Sequence, residues 1–196
     1  KKLAGAKLAG VDLRGTHFRN ADLRHADFTG SQLEKASFYE CSLSFAIMDD
    51  VVCTEADFTE GALEGVHAHN ADFSGSVFRY AKLANCDFSH AKLVGADASV
   101  ADLRGNFSHA DLTDADLRGS KMEGAKLQNA DLTNAKLKGA SLIGANLSHA
   151  TYESSQLEGA QSTGMIGRSR LEAMRQQKAL VAILGVGCRP LPVALG

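Results

Sequence analysis

The 196-residue sequence contains no tryptophan and only 2 prolines. A conventional α/β enzyme carries more aromatics and more loop prolines, so this deficit argues against that class. Cysteine is scarce, and Cys41, Cys53, Cys86 and Cys188 form no CxxC or other metal-binding spacing. No apolar run approaches the ~20 residues that cross a bilayer; the longest late one is Ala179–Gly187. Neither sign of charge dominates: 21 basic residues face 23 acidic ones, for a net charge of −2. A global electrostatic drive toward nucleic acid or an anionic membrane is therefore missing. The chain does not begin with Met and Lys1–Gly5 already reads as part of a repeat, so a processed or trimmed product is expected, and the missing start leaves room for a signal peptide that has been removed. What is present, 44% hydrophobic and 22% charged residues, fits one soluble globular domain.

The dominant feature is a period of five. From Leu3 to Leu103 every fifth residue, 21 positions in all, belongs to an apolar series. One residue is then missing, and the series resumes for 11 positions from Phe107 to Leu157. Only Cys53, Ala68, Ala98 and Tyr152 depart from Leu, Phe or Met at these 32 centres. Within residues 1–160 every Leu lies on the series, and Phe45 is the one Phe that does not. Two residues before each centre the side chain is usually small, as at Ala6, Ala26, Ala56, Ala110 and Ala130. Asp, Asn, Lys or Ser usually stands between the two. Five matches neither the helical period of 3.6 nor the strand period of 2. It suits a chain that turns a corner every five residues, with one large and one small side chain inward per side. Four sides close a square coil of about twenty residues, and about eight coils stack with backbone pairing at about 4.8 Å.

Segments such as Ala-Asp-Leu-Arg-Gly (101–105), Ala-Asp-Leu-Thr-Asn (130–134) and Ala-Asn-Leu-Ser-His (145–149) resemble the pentapeptide-repeat family. The resemblance covers about residues 1–162 and implies an all-β fold, a right-handed quadrilateral β-helix. Past Ala160 the pattern stops, and Ser162–Gly167 reads as a break. The spacing of Leu171, Met174, Val181 and Leu184 predicts an amphipathic helix over Arg168–Leu184, followed by an extended end at Pro190 and Pro192. Residues 1–162 are thus expected to form the β-helix and residues 163–196 a C-terminal helix and tail. That helix caps the last coil, pairs two copies as a homodimer, or docks a partner.

Catalytic constellations are missing from the pattern. No serine stands in a nucleophile elbow, no cysteine has an identifiable histidine partner, and the glycines sit at corners instead of forming a phosphate loop. No enzyme activity, cofactor or metal is expected. His67 and His69 flank Ala68 at a two-ligand spacing, with Asp87, Ser89, Ile47 and Asp49 one coil away, but a solvated pair on an outer face explains them better. Asp50, Asn70, His90, His109, Asn129 and His149 fall in one corner column and are expected to bond or stack along it. Cys41, Cys53 and Cys86 replace small or apolar residues of the pattern and read as core fillers, which favours a reducing compartment such as the cytoplasm.

Function is expected to reside on the outside. Residues 1–160 carry 16 basic and 22 acidic groups, net −6, and the remainder carries 5 and 1, net +4. The register turns Tyr39, Phe45, Ile47 and Val52 outward within one coil, with Val77 and Tyr80 two coils on. Exposed apolar groups of this kind mark a protein-partner surface, unless a local distortion of the coil half covers them. The expected function is a non-catalytic scaffold or protein-interaction module. The resemblance adds two alternatives. One is an accessory subunit of a larger assembly, such as a photosynthetic complex. The other is a DNA mimic that occupies a type II topoisomerase such as gyrase, although the outward Arg14, Arg19, Arg24, Arg79, Arg104 and Arg118 make a poor phosphate track.

Overall fold

The computed structural model describes residues 2–167. Each five-residue unit makes one side of a square coil. The first side has centres Leu3, Leu23, Leu43 and so on; the second begins at Leu8, the third at Leu13 and the fourth at Phe18. The residue before each centre pairs with its equivalent one coil on, as in Lys2 with Asp22, Asp22 with Ser42 and Lys82 with Asp102, always in parallel. These pairs are isolated bridges. Among the described residues no run of consecutive pairs forms an extended strand, because a corner intervenes before a second pair can form. The all-β expectation holds at the level of a β-helix, with single bridges in place of sheets.

Each corner is a tight turn. Ala6 N–H donates to the Leu3 carbonyl at 3.0 Å, and Ala26 N–H to that of Leu23 at 3.0 Å. The third residue of the turn lies at positive φ, the geometry of a type II turn. Glycine fills it cheaply at Gly15 and Gly30 (φ 64° at both), and Asn or His takes it at Asn20, Asn70 and His90. Phe45 (φ 60°), Tyr80 (φ 59°) and Val100 (φ 60°) adopt the same conformation, which large or β-branched side chains enter only with strain.

The interior is filled. Phe18, Phe38, Phe58 and Phe78 stack one per coil on the fourth side, with centroid separations of 5.0, 4.8 and 4.8 Å. Phe28 and Phe88 from the opposite second side, and Phe73 from the third, meet this stack edge-on. The inward small positions between them are buried Ala, Cys and Ser, with Val51, Val66 and Gly61 as the other occupants in this stretch. Leu3, Leu8 and Leu13, in the first coil, are only partly buried.

The missing residue after Leu103 is taken out of a corner. Gly105 N–H turns back to the Leu103 carbonyl at 2.8 Å, and Asp87 still pairs with Asn106, so the register survives. Gly105 lands at the inward small position, directly over Cys86, whose Sγ lies 2.5 Å from where a Cβ would stand. A cysteine in one coil is thus matched by a glycine in the next.

At the far end the coil does not stop at the expected break. Ser141 pairs with Gln161 and Asn146 with Ile166, and Met165 N–H closes a further corner on the Ser162 carbonyl at 3.2 Å. The fourth side is interrupted by a 3-10 turn, Ser154–Leu157. There the Gln156 amide replaces backbone pairing: Nε2 donates to the carbonyls of Leu132 and Ala135 at 2.7 and 2.8 Å, and Oε1 accepts from Glu153 N–H at 2.7 Å. The capping helix expected over Arg168–Leu184 lies outside the described residues.

Removing one ring from the stack should be far costlier than trimming its outward neighbour. Phe58→Ala is expected to cost about 3–5 kcal/mol, and Thr59→Ala less than about 0.5 kcal/mol. Equal shifts in chemical denaturation would refute the assignment of inside and outside.

Candidate interaction surface

Pairing between coils uses the backbone N–H of the centre, of its predecessor and of the corner residue. The N–H just after the centre is left over. Where the residue before the centre is Asp or Asn, its Oδ1 accepts that N–H: Asp72 from Ser74 at 3.0 Å, Asp111 from Thr113 at 3.0 Å, Asp131 from Thr133 at 2.9 Å, Asn146 from Ser148 at 3.0 Å. A Thr or Ser hydroxyl at the same position adds a second bond, as Thr133 Oγ1 does to Asp131. The acidic residues of the repeat are therefore structural caps first and surface charges second, a role their spacing alone did not disclose.

Four of them are also clamped by arginine two residues on. Arg14, Arg24, Arg104 and Arg118 each place Nε and Nη2 on the carboxylate of Asp12, Asp22, Asp102 and Asp116. The Arg24 bonds hold the Asp22 carboxyl down at about 2, and the other three carboxyls are lowered for the same reason. The outward arginines are thus largely spent on their own side.

The third side differs. Between Asp72 and Asn134, that side and the corner after it carry Asp72, Asp111, Asp114 and Asp131 against the single cation Lys92. No arginine stands among them.

The six residues expected to bind a partner do not form one patch. Tyr39 lies on the fourth side, half-buried beneath the Arg19 guanidinium at 4.7 Å from its ring centroid. Phe45 occupies the corner between the first and second sides, and Ile47 follows on the second. Val52 is on the third side and Val77, half-buried, on the fourth. Tyr80 stands at the corner between the fourth and first sides, with Val100 next in its column. Phe45 is 56% exposed, yet its ring stacks on His25 at 5.4 Å and covers the Cα of Gly65, where an added Cβ would meet it at 2.7 Å. Phe45, Tyr80 and Val100 are the large apolar side chains that combine an exposure of half or more with a left-handed backbone. Val100 escaped notice in the sequence because a lone valine at a corner breaks no apolar series.

His69 bonds Ser89 and meets the His90 ring. Among the described residues no three His, Cys, Asp or Glu side chains converge as a metal site. The expected corner column forms: Asn70 Nδ2 donates to Asp50 at 2.7 Å, and the His90 and His109 rings stack at 4.6 Å and 3°. Cys41, Cys53 and Cys86 are free and buried, and burial pushes all three thiols upward, Cys53 and Cys86 strongly.

The square coil, its inward Leu/Phe and Ala positions and its Asp/Asn caps define a right-handed β-helix built of five-residue repeats. The model for pentapeptide repeats matches in eight copies, over residues 2–38, 36–75, 71–105, 106–129 and 125–161. The chain belongs to the pentapeptide-repeat family. No curated protein sequence matches it significantly. Among solved structures it is similar to HetL, a pentapeptide repeat protein involved in heterocyst differentiation regulation from the cyanobacterium Nostoc sp. strain PCC 7120. The identity is 26% and the TM-score 0.57, covering 84% of each chain. It is similar in fold to QnrB1, a plasmid-mediated fluoroquinolone resistance protein, at 19% identity and TM-score 0.55, covering 96% of this chain and 94% of that one. Among the described residues no helix is long and apolar enough to cross a membrane.

Two outcomes follow. Asp22 should remain ionised until the pH falls to about 2, and Arg24→Gln should return its titration, followed by carboxyl NMR, to the ordinary range near 4. Because the folded value is depressed, the clamp's contribution to stability is present above the ordinary carboxylate range and lost as pH falls through the clamped value. Separately, Cys41, Cys53 and Cys86 should resist iodoacetamide at pH 8 in the native protein and react after denaturation, as read by peptide mass mapping.

Proposed function

We propose that the chain is a non-catalytic, rigid interaction module whose third side docks a basic surface of a protein partner. The observation that carries this reading is the separation of charge. Asp22 and Asp102 on the first side and Asp116 on the fourth are clamped by arginine, whereas Asp72, Asp111, Asp114 and Asp131 have no arginine beside them along the third side. Unanswered charge steers and orients a complementary partner. A filled interior offers no chamber for a substrate, which supports a surface role. HetL, involved in regulation of heterocyst differentiation, is a precedent for a family member acting in regulation.

The likeness to QnrB1 supports the fold and leaves the topoisomerase alternative as a lesser reading. The clamped arginines weaken it further, because a phosphate track needs negative charge on more than one side. Membership of a larger assembly, photosynthetic or otherwise, is compatible with the same docking side. The exposed pair Phe45 and Ile47, neighbours across one corner, is a second candidate contact; Tyr39, Val52, Val77 and Tyr80 are too dispersed to join it on one flat partner.

The test exploits the cap. Asn accepts the same backbone N–H, as Asn106 and Asn146 do, so Asp72→Asn, Asp111→Asn and Asp131→Asn together remove charge without removing the bond. The triple variant is expected to melt within a few degrees of the parent and to lose a partner recovered by native pull-down with mass spectrometry. Retained capture would exclude the third side. Loss of capture in Phe45→Ser/Ile47→Ser instead would move the interface to that corner, and inhibition of gyrase supercoiling at micromolar protein would favour the topoisomerase reading.

A further inference from the structure

His69 and His90 meet across one coil step with ring centroids 5.2 Å apart and planes inclined at 68°. Both side chains are exposed. Two imidazoles bound to one tetrahedral ion, with metal–nitrogen bonds of about 2.1 Å, have their centroids roughly 5 Å apart and their planes free to tilt. The neighbouring pair His90 and His109 is parallel to within 3° at 4.6 Å, a face-to-face stack in place of the inclined arrangement of His69 and His90. His69 is also held from behind: its Nδ1 lies 3.0 Å from Ser89 Oγ, and its backbone N–H donates to Asp49 at 2.8 Å. A hydroxyl on one ring nitrogen fixes the ring and leaves Nε2 as the outward ligand, the arrangement that typically supports metal-bound histidine.

We propose that His69 and His90 form a two-histidine site for a divalent transition metal of the zinc, nickel or copper class at the corner between the second and third sides. The ion bridges successive coils and keeps its remaining positions for water or for a donor brought by a second protein. Asp50 and Asn70, one step earlier in the corner column, bond each other at 2.7 Å and are not ligands. His67, on the second side, is not one either.

Isothermal titration of the full chain with Zn²⁺, in a Cys188→Ser background to remove a competing thiol, tests the assignment. The parent is expected to bind one ion saturably. His69→Ala should abolish binding, and so should His90→Asn, chosen because Asn tolerates the left-handed backbone there. Ser89→Ala should weaken affinity roughly tenfold, and His67→Ala and His109→Asn should change it little. Circular dichroism melts confirm that each variant is folded. Absence of saturable binding below millimolar Zn²⁺ would overturn the proposal. So would binding that survives either ligand substitution in a folded variant, or binding lost in His67→Ala.

Discussion

A chain that turns a right angle every five residues pairs most of its backbone with the coils above and below, but leaves one N–H per side without a backbone partner. The rest of the molecule is arranged around that remainder. Asp or Asn immediately before the centre bends over to accept it, which fixes the residue class at one of only three outward positions per side. Where lysine stands there, as at Lys82 or Lys121, the side chain cannot accept that N–H. The acidity of the repeat is thus a consequence of backbone accounting, and net charge by itself says little about partners until the capped and clamped carboxylates have been separated from the open ones.

The fold was legible because it is written at a single period. Leu and Phe at every fifth place, with Ala two before, predict the four interior columns, including the consecutive phenylalanines from Phe18 to Phe78 and the corner column from Asp50 to His149. The skipped residue after Leu103 was also legible as a change at one corner. Less was legible where a side chain takes over a backbone role. Gln156 looks like any polar residue in sequence, yet its amide closes the fourth side and produces the one 3-10 turn among the described residues. The continuation of pairing to Ile166 was hidden because Ser162 and Met165 stand where Leu and Ala are usual.

The surface was harder to read, for a geometric reason. Residues close in sequence lie on different sides of a square, so Tyr39, Phe45, Ile47 and Val52 point in different directions although they span less than one coil. Residues twenty apart are the true neighbours. Read at that interval, the surface shows an acidic, arginine-free stretch of the third side between Asp72 and Asn134, arginine clamps at Asp12, Asp22, Asp102 and Asp116, and a histidine edge where His69, His90 and His109 adjoin.

The corner lost between Arg104 and Gly105 also changes how the rod transmits load. Elsewhere along that column each corner residue donates to the coil below, as Asn85 does to Arg104 at 2.9 Å. The deleted residue would have donated to Glu123, and among the described residues no backbone donor takes its place. A stacked solenoid holds together only through contacts between adjacent coils, so a joint that lacks a backbone bond is weaker than the fully paired ones. Under tension or thermal strain this corner is expected to open before the fully paired corners around it.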